Sequence, residues 1–280
     1  VGVYYMEHIE VDIMNSLSFL AHFDWIHNFG VTNIFTKEVL QNLPSEWLTH
    51  LKNLRTDELN ELPFIETSSM ERYPAWPLSL HNFISRASTL SLDRKQIQDI
   101  TPTSVDYGMA RGMTPKKWHE VSWMASLVND IVCKTNCNLI VDVGSGLGYL
   151  DHVLHQVYGH AVLGLETSEG HVHAAEHRAV SQGLTCSRIQ SMKFDITDDV
   201  DCFQKFENVI TNLKFPLCCG HSIKEGVQTS DRMLTTASHK VCLIGLHCCG
   251  DLSSSVLSLF HHVNSIKAVC CVCCCYHKMT

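Results

Sequence analysis

"NLIVDVGSGLGYLDHVL", residues 138–154, decides the fold. A short apolar run carrying Asp142 stops at three glycines in alternate positions, Gly144, Gly146 and Gly148, and a helix-like apolar pattern follows. Strand, glycine turn and helix in that order open a parallel α/β sheet. In such sheets ligands bind at the carboxyl ends of the strands, near the switch point beside the first strand. Glycine there permits the tight turn and lets a ligand touch the backbone.

The spacing narrows the ligand. A dinucleotide fingerprint, G-x-G-x-x-G, requires glycine or alanine at position 149, and Tyr149 stands there instead. Asp142, two residues before the first glycine, repels a pyrophosphate and attracts a ligand that carries an ammonium and a sulfonium. S-adenosylmethionine carries both. A second acid, Glu166, closes "HAVLGLE" 22 residues beyond Gly144, where a carboxylate accepts ribose hydroxyls. A third, Asp195 in "MKFDITDD", ends the next apolar run; the glycine stretch resembles the first motif of Rossmann-like methyltransferases, and that resemblance implies that this place faces the adenine. A purely structural glycine turn explains the glycines and leaves the spaced acids as coincidence.

Outward from this stretch, the texture differs on the two sides. Residues 1–112 read as a mostly helical N-terminal domain: "SLSFLAHFDWIHNFGV" and "SEWLTHLKNLRTDELNEL" space apolar residues by three and four, and Ser45 sits at an expected N-cap. Residues 113–280 read as a Rossmann-like sheet. "KKWHEVSWMASLVNDIVCKT" is a helix, and the apolar runs "NLIVDV", "HAVLGLE", "IQSMKFDI", "NVITNL", "KVCLIGL" and "IKAVCCV" alternate with helical patterns. The chain begins with Val and stops at Thr280 directly after the last run, so the sheet domain is expected to be incomplete at its C-terminus.

Composition excludes several classes. No run of eighteen apolar residues exists, and the first residues lack the basic and apolar regions of a secretory signal. The fourteen cysteines cluster in neighbours such as Cys218-Cys219, Cys248-Cys249 and Cys270-Cys271. Without a signal peptide they read as reduced thiols of a cytoplasmic or nuclear protein that is not secreted and touches no membrane. The net charge of −8 repels polyanions as a whole, so DNA is not an expected partner and RNA requires a local basic patch.

Four segments, "GMTPKKWHEV", "VDVGSGLGYLD", "GLHCCGDL" and "CCYHKMT", occur in the order found in the methyltransferase-like protein 25 family, and "LPSEW" and "WPLSLHNFISRASTL" also look similar. The resemblance covers nearly the whole chain and implies an S-adenosylmethionine-dependent methyltransferase. A more distant resemblance is to a tRNA ribose 2′-O-methyltransferase family, through Lys116 to His119, His247 to Leu252 and Cys274 to His277. Tyr276 departs from it, standing where that family has a histidine. The resemblance raises RNA as the first substrate class, with protein second.

Candidate roles follow. Lys117 and His119, with Lys116, open the helix before the first strand, where cations suit the methionyl carboxylate or a substrate phosphate. His247 ends a strand where this fold faces the transferred methyl, and imidazole is a suitable general base. Tyr276 and His277 lie just past the last strand and are candidate catalytic residues of the substrate pocket, His277 being the alternative to His247 in assisting deprotonation. Asp251 reads as an N-cap. His152, His155 and His171 are expected on helix surfaces. No Asn/Asp-Pro-Pro-aromatic motif is present, which disfavours methylation of exocyclic base amines. The cysteines of "AVCCVCCCYHKMT" lack paired C-x-x-C spacing, and strand alternation sends neighbours to opposite faces, so packing rather than a metal is expected. Two rivals remain: a non-catalytic interaction protein retaining the fold, and a nicotinamide dehydrogenase disfavoured by Tyr149 and Asp142.

Overall fold

A computed structural model describes residues 2–28, 33–65, 71–91, 100–184, 188–214, 239–275 and 278–279, and of the side chains in 2–10 nothing is said. The chain divides into two compact units, Val1–Gln96 and Ile97–Thr280.

The first unit is helical: α1 (Gly2–His22), α2 (Asp24–His27), α3 (Ser45–Leu51), α4 (Thr56–Glu61) and α5 (Leu78–Leu90). Its small core joins Trp47, Trp76, Leu80 and Ile84, with Phe23 and Phe83 packed against them. The rings of Phe23 and Phe83 meet edge to face at 4.8 Å between centroids, and the Trp47 indole donates to Ser79 Oγ at 2.9 Å. Aromatic pairing thus replaces a large aliphatic core. Helix α3 starts at Ser45, but Pro44 holds the cap position and makes no side-chain bond. Ser45 is therefore the first helical residue and not the N-cap that the sequence suggested.

The second unit is a five-stranded parallel sheet in the order β3-β2-β1-β4-β5, built from β1 (Leu139–Val143), β2 (Val162–Glu166), β3 (Ile189–Lys193), β4 (Val241–Cys248) and β5 (Ile266–Cys273). Around it lie α6 (Tyr107–Ala110), α7 (Pro115–Thr135), α8 (Tyr149–Tyr158), α9 (Glu169–Ser181), α10 (Val200–Asn212) and α11 (Leu252–His262). Strand alternation sorts the core into two layers. Ile140, Val162, Cys242 and Ile244 pack with Val121, Val128, Val153 and Leu154 of α7 and α8. Leu139, Val141, Leu163 and Leu243 pack with Phe206, Ile210, Val256 and Leu259 of α10 and α11. Asp142 alternates with Val141 and Val143, so it shares the α7–α8 face with Ile140.

Two sequence expectations fail here. "NVITNL", read as a strand, is the last turn and a half of α10. Asp199 caps that helix by accepting from Cys202 N at 2.8 Å, and Cys202, Phe206 and Ile210 bury one stripe at four-residue spacing. Residues 103–112, expected with the helical half, pack inside the sheet unit instead: Val105, Met109 and Ala110 belong to its core. No described helix is long and apolar enough to cross a membrane.

Candidate cofactor and methyl-transfer site

The strand order reverses between β1 and β4, and the glycine loop springs from β1 at that crevice. Gly144, Gly146 and Gly148 have φ of +70°, +58° and +68°, a region any Cβ would strain. At Gly146 an added Cβ would meet nothing within 4 Å, so the loop opens onto free space. From the other side of the crevice, Leu252 at the start of α11 approaches Gly144.

Asp142 is buried beneath this loop beside Asp151 of α8, which the sequence reading did not single out. Burial, then the facing Asp151 charge, pushes the Asp142 carboxyl well above its ordinary value; burial raises Asp151 to about 6. Two such carboxylates cannot both ionise freely, so they titrate as a pair. Lys117, from the first turn of α7, acts against that rise in both. Gly164 of β2 makes the room: a Cβ there would lie 2.6 Å from Asp151 Oδ2 and 2.7 Å from Ser145 Oγ. Asp142 Oδ1 and Ser145 Oγ are buried with no hydrogen-bond partner among the described residues. Orphaned acceptors at an open glycine loop fit the ammonium end of S-adenosylmethionine.

Glu166 closes β2 beside the same loop. Its Oε2 accepts from Gly146 N at 3.0 Å and its Oε1 from Ser168 N at 3.0 Å. Burial works to raise this carboxyl, but the two amide donors, aided by His171, outweigh it and hold the pKa below the ordinary value. The lowered pKa favours the ionised carboxylate, which is held against the glycine loop by these two amides. Asp195 lies two residues past β3, exposed, and lines a cleft of about 560 Å³ with Thr167, Ile196, Asp251 and Leu252. Asp251 occupies the N-cap position of α11, as expected, and also lines this cleft.

His247 sits at the end of β4 with φ of +75°, next to the register shift that bends β4 against β5. A non-glycine residue held in that region signals local strain stored at a site. Its Nε2 lies 2.9 Å from Glu120 Oε2, and Glu120 also pairs with Lys116 at 3.6 Å. Burial raises the Glu120 carboxyl, but His247, Lys116 and Lys117 overcome this and lower its pKa. Glu120 escaped the sequence reading because its partner lies 127 residues away. His119, two residues from Lys117, points about 200° round the helix from it. It is exposed beside Trp123, with ring centroids 6.2 Å apart, and α7 does not bring it to the loop with Lys117. Tyr276 and His277 lie outside the described residues.

Tyr149, the residue that breaks the dinucleotide pattern, is a clamp. Its hydroxyl donates to Gly112 O at 2.8 Å, and the Arg178 guanidinium lies 4.0 Å over its ring. Arg178 in turn donates to Arg111 O and Met109 O, both at 2.7 Å. Thus the glycine-loop helix and α9 fasten residues 109–112, the run leading into α7 and Lys117. His152 and His155 are buried on α8, contrary to the expected surface placement, because α8 packs against α7, the sheet and α9; His171 is exposed as expected.

Fold, glycine loop and strand-end acids together define an S-adenosylmethionine-dependent methyltransferase fold. A methyltransferase-domain family matches residues 116–280, and the chain belongs to that family. Among curated relatives, the probable methyltransferase-like protein 25 of Mus musculus is 26% identical over 60% of this chain and 45% of its own length, and that of Homo sapiens 24% over 60% and 44%. The chain thus spans less than half the length of these relatives, and the family resemblance read from the sequence motifs holds. Similar solved structures include an S-adenosylhomocysteine-bound methyltransferase of Podospora anserina, at TM-score 0.37 and 10% identity over 61% of this chain and 64% of that one. Another is the magnesium protoporphyrin IX methyltransferase of Synechocystis, at TM-score 0.31 and 17% identity over 59% of each chain.

Proposed function

We propose that the chain transfers a methyl group from S-adenosylmethionine to a nucleophilic oxygen or nitrogen of RNA, with protein as the second substrate class. The observation that carries the cofactor half is the open glycine loop flanked by buried Asp142 and ionised Glu166 at the sheet's switch point. When bound, the cofactor supplies an electrophilic methyl on a sulfonium, which leaves as neutral sulfide and needs little acid catalysis.

The chain's own residues then position and deprotonate. Asp142, relieved of its shared proton, faces the ligand's ammonium; Glu166 accepts from the ribose; Asp195 lines the cleft beyond it, toward the base. His247 takes the proton of the attacking group, and Glu120 stabilises the imidazolium that forms. A ribose hydroxyl needs such a base, and the motif similarity to ribose methyltransferases includes His247, within His247 to Leu252, and reaches His119 next to Glu120 in the segment Lys116 to His119. Exposed Lys116 offers a cation for a phosphate, the local contact that a chain of net charge −8 requires. The setting is the cytoplasm or nucleus, where thiols stay reduced.

The test is transfer of labelled methyl from S-adenosylmethionine to fractionated cell extract, followed by ribonuclease or protease. Label released by ribonuclease supports RNA, and label released by protease supports the second class. Cofactor binding with no transfer to either fraction would sink the enzymatic reading in favour of a non-catalytic interaction protein.

A further inference from the structure

Outside the cofactor site, the structure gathers thiols that the sequence spacing had argued against. Cys249 follows β4, while Cys274 and Cys275 follow β5. Because β5 ends at Cys273, the alternation that would send Cys274 and Cys275 to opposite faces no longer applies. Cys249 Sγ lies 3.0 Å from Cys274 Sγ, Cys274 Sγ lies 3.5 Å from Cys275 Sγ, and all three sulfurs fall within 4.8 Å of one another. Sulfurs bound to one tetrahedral zinc at about 2.3 Å are separated by roughly 3.8 Å, and a triangle with edges of 3.0 and 3.5 Å and a third within 4.8 Å needs only small shifts to reach it. A disulfide joins only two sulfurs, at about 2.05 Å, and leaves the third unexplained.

The backbone holds the triangle ready. Gly250 N donates to Cys275 O at 3.3 Å, and Lys278 N donates to the same carbonyl at 3.0 Å. Gly250 has φ of +59°, and a Cβ there would lie 2.9 Å from Lys278 O, so the two turns touch where only glycine fits. Among the other described cysteines, Cys137, Cys202 and Cys242 are buried as small apolar groups, and buried Cys248 pairs its thiol with that of Cys271. Cys249 and Cys275 are half-buried and Cys274 is exposed, so an ion has access.

We propose that Cys249, Cys274 and Cys275 bind one zinc-class cation as three thiolates, with the fourth tetrahedral position left to water or an incoming ligand. Each thiol gives up its proton to solvent on binding. The ion staples the turn after β4, two residues from His247, to the chain leaving β5. It would fix the end of the strand that carries the general base.

The test uses the chain prepared under a non-chelating reductant and titrated with cobalt(II), then with zinc. The expected result is one equivalent of cobalt giving tetrahedral d–d bands and a sulfur-to-metal charge-transfer band, all displaced by one equivalent of zinc. Cys249→Ser and Cys274→Ser should abolish the charge-transfer band, while Cys273→Ser and Cys133→Ser leave it intact. Should the variants fail to fold, alkylation of the unaltered chain decides: zinc should protect Cys249, Cys274 and Cys275 and leave Cys273 reactive. An octahedral cobalt spectrum, unprotected cysteines, or a Cys249–Cys274 disulfide in metal-free chain would overturn the proposal.

Discussion

Asp142 and Asp151 make the chain's most testable local arrangement. In the ligand-free chain the pair retains a proton, because burial raises both carboxyls. A cofactor ammonium would favour the ionised pair, so binding should release a proton and tighten as pH rises from about 5 toward 7. Calorimetry of S-adenosylhomocysteine binding in buffers of differing ionisation enthalpy measures that proton; no buffer dependence would count against the pair's role. His247 gives the second residue-scale prediction. Asparagine tolerates the left-handed backbone better than most residues, so His247→Asn should keep the fold and cofactor affinity while methyl transfer falls about 100-fold or more. Glu120→Gln should reduce the rate less, by about tenfold, and shift the acid limb of the pH–rate profile, a readout that a merely structural contact would not move. Asp142 and Glu166 were legible as sequence because each closes an apolar run at the sheet's switch region. Asp151 and Glu120 were not, since their meaning lies in partners on other elements.

At the scale of elements, the Tyr149–Arg178 clamp holds the run into α7 against α8 and α9. Arg178→Ala removes two hydrogen bonds and a cation–π contact, which should cost about 2–4 kcal/mol in chemical denaturation. It should also weaken cofactor binding, because Lys117 sits a few residues downstream. A variant with unaltered stability would show that the clamp is incidental. Strands β1, β2 and β4 could be read from apolar spacing because burial on both faces leaves near-continuous apolar runs, whereas the half-buried β3 was legible mainly from its place in the alternation of strands and helices. "NVITNL" misled because six residues of β-rich composition do not reveal a period; only the longer window containing Cys202, Phe206 and Ile210 does. The cysteine end misled for the opposite reason, as a strand rule was extended past the residue where the strand stops.

Across the whole molecule, buried titratable groups set how stability responds to pH. His152 and His160 are held down to about 4, each chiefly by burial. A histidine with a depressed folded pKa costs nothing above its ordinary value of 6.5. Its stability is lost as pH falls from there toward about 4, up to roughly 3 kcal/mol for each residue. The raised Asp142–Asp151 pair works the other way: its contribution is present at low pH and is lost as pH rises through the raised folded values, about 6 for Asp151. The two effects offset between about pH 4 and 6.5. Asp142→Asn removes the opposing slope, so the variant should match or exceed the parent chain's thermal stability at pH 7.5 and lose it more steeply on acidification. Parallel melting curves at pH 5 and 7.5 would expose the opposite ordering if the pair were not coupled.

The measurement that bears on the cofactor assignment is calorimetric titration of this chain with S-adenosylhomocysteine, using NAD as control and an Asp142→Asn, Glu166→Ala variant alongside. Saturable one-to-one binding of S-adenosylhomocysteine is predicted, with none for NAD and at least a 100-fold loss in the folded variant. Equal affinity in the variant, or binding of NAD in its place, would contradict the reading of this loop and its acids.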